Sequence, residues 1–148
     1  GKAHQDIMKY VYDKGKGTGK KEEVGQVLYN RGMINSMLVI ESIRTAQAKF
    51  GKKPLTGEQV RAGIEALNLD QAAIDKIGLG GFMQPVKVTC ANHEGAHKAR
   101  IHQWNGSSWN YVTDWMTADD KFLRGMVEES AKKYAKEKNI TAAECKAA

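Results

Sequence analysis

Hydrophobic positions along the chain follow a helical period first, then a period of two, then a helical period again. Within Asp6–Asp13, Ile7, Tyr10 and Val11 share one helical face, and Gly15 ends the pattern. Gly15–Lys21 alternates glycine with lysine and threonine and reads as a flexible basic loop. A long helix is predicted from Val24 to Phe50. Its middle, Met33–Ile40, is apolar nearly all round and is expected to be its most buried part. Ile43, Ala46 and Phe50 narrow to a stripe before Gly51, a C-cap candidate. Thr56 and Gln59 fit a capping box, in which each side chain satisfies a backbone N–H at the helix start. Val60, Ile64 and Leu67 line the third helix, and Asp70 caps a short one ending near Gly78.

Beyond Gly78–Gly81 the period changes. Val86, Val88 and Cys90 alternate with Lys87 and Thr89 as in a strand, and Asn92–Gly95 reads as a turn. Arg100–Trp104 and Trp109–Thr113 flank Asn105-Gly106, a strong hairpin signal, with Ser107 and Ser108 lengthening the loop to four residues. A last helix, Asp119–Lys138, places Leu123, Met126, Val127, Ser130 and Tyr134 on an expected inner face. The predicted fold class is α+β, mostly helical with a small antiparallel hairpin sheet.

A length of 148 residues suits one domain or a large piece of one. With 41% hydrophobic and 27% charged residues, the composition argues against disorder and against a fibre. The longest apolar run, Met37–Ile40, is far too short to span a membrane. No apolar signal-peptide core follows Gly1. The net charge of +6 permits an acidic partner without requiring one. Two cysteines, Cys90 and Cys145, are too few for a disulfide scaffold or a four-cysteine zinc site, and whether they pair stays open.

Candidate chemistry is sparse. His93-Glu94-Gly95-Ala96-His97 carries the letters of the zincin motif, which works only where a helix puts both imidazoles on one face. Here the letters fall between two period-two segments and include a glycine, so a turn without metal is expected. Gly15–Lys21 resembles a phosphate loop only faintly. Three residues, not four, separate Gly15 from Gly19, and Lys21 stands where a hydroxyl would bind magnesium. Lys132, Lys133, Lys136 and Lys138 alternate with Glu128, Glu129 and Glu137, a charge-mixed surface and not a nucleic-acid face. Trp104, Trp109, Tyr111 and Trp115 suit cross-strand packing better than base stacking. No nucleophile–base pair stands out, so no enzyme, cofactor, metal or nucleic-acid partner is expected.

Several segments, taken in order, resemble a known family. Tyr29-Asn-Arg-Gly32, Glu41-Ser-Ile-Arg44-Thr-Ala46 and Leu55-Thr-Gly-Glu58-Gln-Val-Arg61 are followed by Val86-Lys-Val-Thr89, Asn92-His-Glu-Gly95 and Arg100-Ile-His-Gln-Trp104-Asn-Gly106 with Trp109. Ser130–Lys138 adds a family-like terminal helix. Together they are similar to the C-terminal portion of type I periplasmic solute-binding proteins, the branched-chain amino acid group of ABC importers.

The resemblance implies a partial piece of a two-lobed α/β fold. Residues 1–98 would return through the first lobe, and residues 99–148 would cross by the hairpin and end in a terminal helix towards the second. It implies capture of a small solute, a branched-chain amino acid or a related amide or organic acid, and delivery to an ABC permease. It also implies a bacterial periplasmic location, with the signal peptide in a missing N-terminal portion. Val24, Gly25 and Tyr29 become the cleft candidates. Self-association is expected for such a piece, to cover its apolar helices. The alternative is a stand-alone oligomeric helical interaction module with no small-molecule site.

Overall fold

The computed structural model describes residues 1–95, 97–141, 144 and 145. Helix α1 (Lys2–Ile7) runs into a π-helical turn (Met8–Tyr12), and a 3-10 turn follows at Lys21–Glu23. Then come α2 (Val27–Phe50), α3 (Gly57–Glu65), β1 (Asn68–Leu69), α4 (Gln71–Lys76) and β2 (Val86–Lys87). The second half carries β3 (Lys98–Ala99), β4 (His102–Trp104), β5 (Trp109–Tyr111), β6 (Met116–Thr117) and α5 (Asp120–Lys138). The contacts divide the chain into two compact units, Gly1–Gly95 and the part after it.

In the first unit local chemistry sets the boundaries. Thr56 Oγ1 accepts from the Gln59 N–H at 3.3 Å, and Gln59 Oε1 accepts from the Thr56 N–H at 3.0 Å, closing the capping box of α3. Asp70 caps α4 by accepting from the Ala73 N–H at 2.8 Å. Gly51, at φ +92°, ends α2. Leu67, Leu69, Ile74 and Leu79 are the buried core, and Met33, Met37, Leu38, Phe82, Val86 and Val88 pack around it. The short β1 pairs antiparallel with β2, Leu69 opposite Val86, which carries Leu67 and Leu69 into that core.

Helices α2 and α3 meet through small residues. A Cβ on Gly63 would lie 2.3 Å from the Ser42 carbonyl oxygen and 2.7 Å from the Ala46 Cβ. Ser42 and Ala46 are the buried residues of α2. The Ser42 hydroxyl donates to the Leu38 carbonyl at 2.8 Å, so its burial leaves no unmet donor. The expectation that Met33–Ile40 is the most buried part of α2 is therefore corrected: Val39 is 54% exposed and Ile40 42%. Burial follows where α3 can approach, and the C-terminal half offers the smaller side chains.

The second unit is a long antiparallel hairpin followed by α5. In its inner ladder His102, Gln103 and Trp104 face Tyr111, Asn110 and Trp109. Asn105–Ser108 forms the four-residue loop, where Asn105 Oδ1 accepts from the N–H groups of Ser107 and Ser108 at 3.0 and 2.9 Å. The outer ladder pairs Lys98 with Thr117 and Ala99 with Met116. Between the ladders one arm spends Arg100 and Ile101 while the other spends Val112–Trp115, so the second arm bulges. Asp119 caps α5 by accepting from the Phe122 N–H at 3.0 Å. The expected inner face of α5 is open: Leu123, Met126, Val127 and Tyr134 are 41–57% exposed.

Candidate functional site

The three cleft candidates lie at the entry to α2. Val24 ends the 3-10 turn in extended geometry, and Gly25 follows at φ +99°. Asn30 fixes this corner. Its Nδ2 donates to the Gly25 carbonyl at 2.9 Å, which leaves Oδ1 to accept from His4 Nε2 at 2.7 Å. The His4 ring in turn meets the Phe82 ring edge-on, with centroids 4.9 Å apart. Asn30 and His4, which sequence reasoning missed, thus tie α1 to the start of α2. A polar residue one turn into a helix gives no sign of which distant partner it will meet.

Tyr29 is half-buried and lines an open cavity of about 410 Å³ with Ile7, Leu28, Gly32, Met33, Ser36 and Met37. Val24 and Gly25 are not among its lining residues. Burial, and then the hydrogen bond between the Tyr29 and Tyr12 hydroxyls, raise the Tyr29 phenol above its ordinary pKa. The Ser36 hydroxyl donates to the Gly32 carbonyl at 2.9 Å. The groove is therefore apolar along its length, with its two hydroxyls already engaged. It can seat an apolar group, but it presents no acid–base or nucleophilic pair.

The His93–His97 letters do not make a zincin site. His93, Glu94, Gly95 and His97 lie outside any helix, and Gly95 has φ +81°. Ala96, within the motif, lies outside the described residues. His93 Nε2 sits 3.6 Å from Glu65, which also takes Arg61 at 2.9 Å, whereas His97 Nδ1 hydrogen-bonds Asp120 at 2.8 Å. The two imidazoles so serve separate carboxylates. Among the described residues no group of three or more His, Cys, Asp or Glu could hold a metal ion. Cys90 and Cys145 are both disulfide-bonded.

On the hairpin the aromatic residues pack across the strands. The Trp104 and Trp109 rings lie 5.7 Å apart, and His102 meets Tyr111 edge-on at 3.9 Å. The bulge brings Trp115 over Arg100, whose guanidinium lies 3.1 Å from the Tyr111 ring centre and 4.5 Å from that of Trp115. Arg100 Nε is buried with no hydrogen-bond partner among the described residues.

No protein-family model and no curated protein matches the chain. A solved structure from the Pseudomonas fluorescens group, described as an ABC transporter permease, is similar to it. The two are 41% identical with a TM-score of 0.87, over 97% of this chain. The chain spans 35% of the length of that protein. This finding corrects three expectations drawn from the family resemblance. The similar protein carries the description of a permease and not of a periplasmic solute-binding protein, so the assigned family, the solute-capturing role and the periplasmic location are all overturned. The stand-alone interaction module gains no support from it either.

Proposed function

We propose that the chain works within an ABC transporter, as part of a protein related to the transporter's permease component. The observation that carries this reading is the 41% identity at a TM-score of 0.87 over nearly the whole chain. At that identity the two chains share side chains as well as a backbone path. The chain's role is then in solute transport, in association with a membrane. Among the described residues no helix is long and apolar enough to cross one. The groove beside Tyr29 supports packing or binding in this setting, since it offers apolar surface without reactive groups.

The test is genetic and biochemical. The full-length protein, tagged and extracted from membranes in detergent, should bring down the ATP-binding subunit of one transporter. Deleting its gene should abolish the ATP-dependent uptake of that transporter's solute. Unchanged uptake of every solute tried, together with purification free of any ATP-binding subunit, would overturn the proposal.

Self-association, expected for the chain on its own, is favoured by Val27 and Leu28, each 75% exposed on α2. Sedimentation that returns only a monomer removes it.

A further inference from the structure

The lysine loop between the π-helical turn and the 3-10 turn has no part in the groove, yet it is built with some care. Lys14, Lys16, Lys20 and Lys21 are all exposed. The Tyr12 side chain holds the two limbs of the loop together. A Cβ on Gly17 would lie 2.7 Å from the Tyr12 ring, so the backbone there rests against the ring. The Tyr12 hydroxyl reaches the Lys20 carbonyl at 3.4 Å. Lysines 14 and 16 on one limb and 20 and 21 on the other thereby converge around one aromatic ring.

We propose that this loop is a docking surface for an anionic phospholipid bilayer. Lys21 sits 3.4 Å from Asp13, while Lys14, Lys16 and Lys20 have no acidic partner among the described residues. Glu22 and Glu23 follow in the 3-10 turn and offset part of the charge. A phosphate cradle needs free backbone N–H groups, and two at the start of this loop are already taken. The Gly15 N–H donates to the Tyr12 carbonyl at 3.0 Å and the Lys16 N–H to the Val11 carbonyl at 2.9 Å. What remains is a set of flexible point charges with no arginine fork, which suits a diffuse negative surface better than a single anion. Tyr10, 55% exposed with Lys9 over its ring, adds an amphipathic side chain of the kind that settles at headgroup level.

The inference rests on the transporter reading for its setting, but vesicle binding tests it with no transporter subunit present. The purified protein is sedimented with vesicles of phosphatidylcholine alone and of phosphatidylcholine mixed with phosphatidylglycerol. Binding is expected only to the second and should fall as salt rises. Replacing Lys14, Lys16, Lys20 and Lys21 with glutamine should weaken it by about tenfold or more. The paired variants K14Q/K16Q and K20Q/K21Q should each weaken it in part, and they serve if the quadruple variant does not fold. Inorganic phosphate should compete no better than chloride at equal ionic strength. The proposal falls if anionic vesicles are not bound, if neutral vesicles bind equally, if the variants bind like the parent, or if phosphate competes specifically.

Discussion

Gly63→Ala should loosen the joint between α2 and α3. The added methyl would stand 2.3 Å from the Ser42 carbonyl oxygen, 2.7 Å from the Ala46 Cβ and 2.9 Å from the Ala46 backbone nitrogen. All three are below 3.0 Å, and two belong to the backbone of a 24-residue helix, which cannot turn aside as a side chain can. The helices must move apart, and overpacking of this kind costs about 1–3 kcal/mol. Alanine is the better helix former by about 0.8–1 kcal/mol, which offsets part of that cost. The expected net loss is up to about 2 kcal/mol. Each kcal/mol lowers the melting temperature of a unit this size by about 4–8 °C. Gly32→Ala in α2 is the internal control. It meets nothing within 4 Å, so only the helix-forming gain remains. Urea unfolding followed by far-UV circular dichroism should move the two midpoints in opposite directions. If Gly63→Ala proves as stable as the parent while Gly32→Ala gains stability, the close approach at Gly63 does not exist as described.

Other substitutions probe other contacts. Ile74 is fully buried, so Ile74→Ala should cost about 2–5 kcal/mol in the same assay. Thr56→Ala removes one arm of the capping box and should cost about 1 kcal/mol; no change in the unfolding midpoint would deny the cap any energetic role. In an absorbance titration Tyr29 should ionise above an ordinary tyrosine, and Tyr12→Phe should bring it down. Because the folded-state pKa is the raised one, this contribution to stability is present below the unfolded tyrosine value and is lost as pH climbs through the folded value. Arg100→Ala removes the cation from between Tyr111 and Trp115; a loss of about 0.5–2 kcal/mol and a changed near-UV tryptophan signal are expected.

Features set by neighbours in sequence were legible before any coordinates. The capping box at Thr56, the Asp70 cap, the glycine stop at Gly51 and the four-residue turn after Trp104 each depend on a few adjacent side chains. Features set by distant partners were not. Met33–Ile40 looked central because it is apolar, but α3 settles where Ser42 and Ala46 let it come close. Two-residue β1 was invisible because its pairing with β2 depends on a segment many residues away. The hairpin's bulge was missed because alternation continues on both arms while their lengths differ. At the candidate site the family resemblance points to Tyr29 and Gly25, whereas Tyr12 beside Tyr29, and Asn30 between Gly25 and His4, need the folded chain to reveal them. The same resemblance led to the solute-binding role, since it compared motifs that chains of different duty can share.

The π-helical turn at Met8–Tyr12 makes part of the surface depend on residue count more than on residue type. The Asp13 N–H reaches back to the Met8 carbonyl and the Lys16 N–H to the Val11 carbonyl, both at 2.9 Å and both spanning five residues. That is one residue more than an α-helical turn accommodates. Removing a single residue from the turn, Lys9 for example, would let α1 continue in regular phase and swing everything after it by about 100°. Tyr12 would then face away from Gly17 and Lys20, and the loop it holds would open. Most substitutions at Lys9 should leave that loop intact, because its exposed side chain does not set the phase. A one-residue deletion in this turn would thus erase the Tyr12 clamp in a single step.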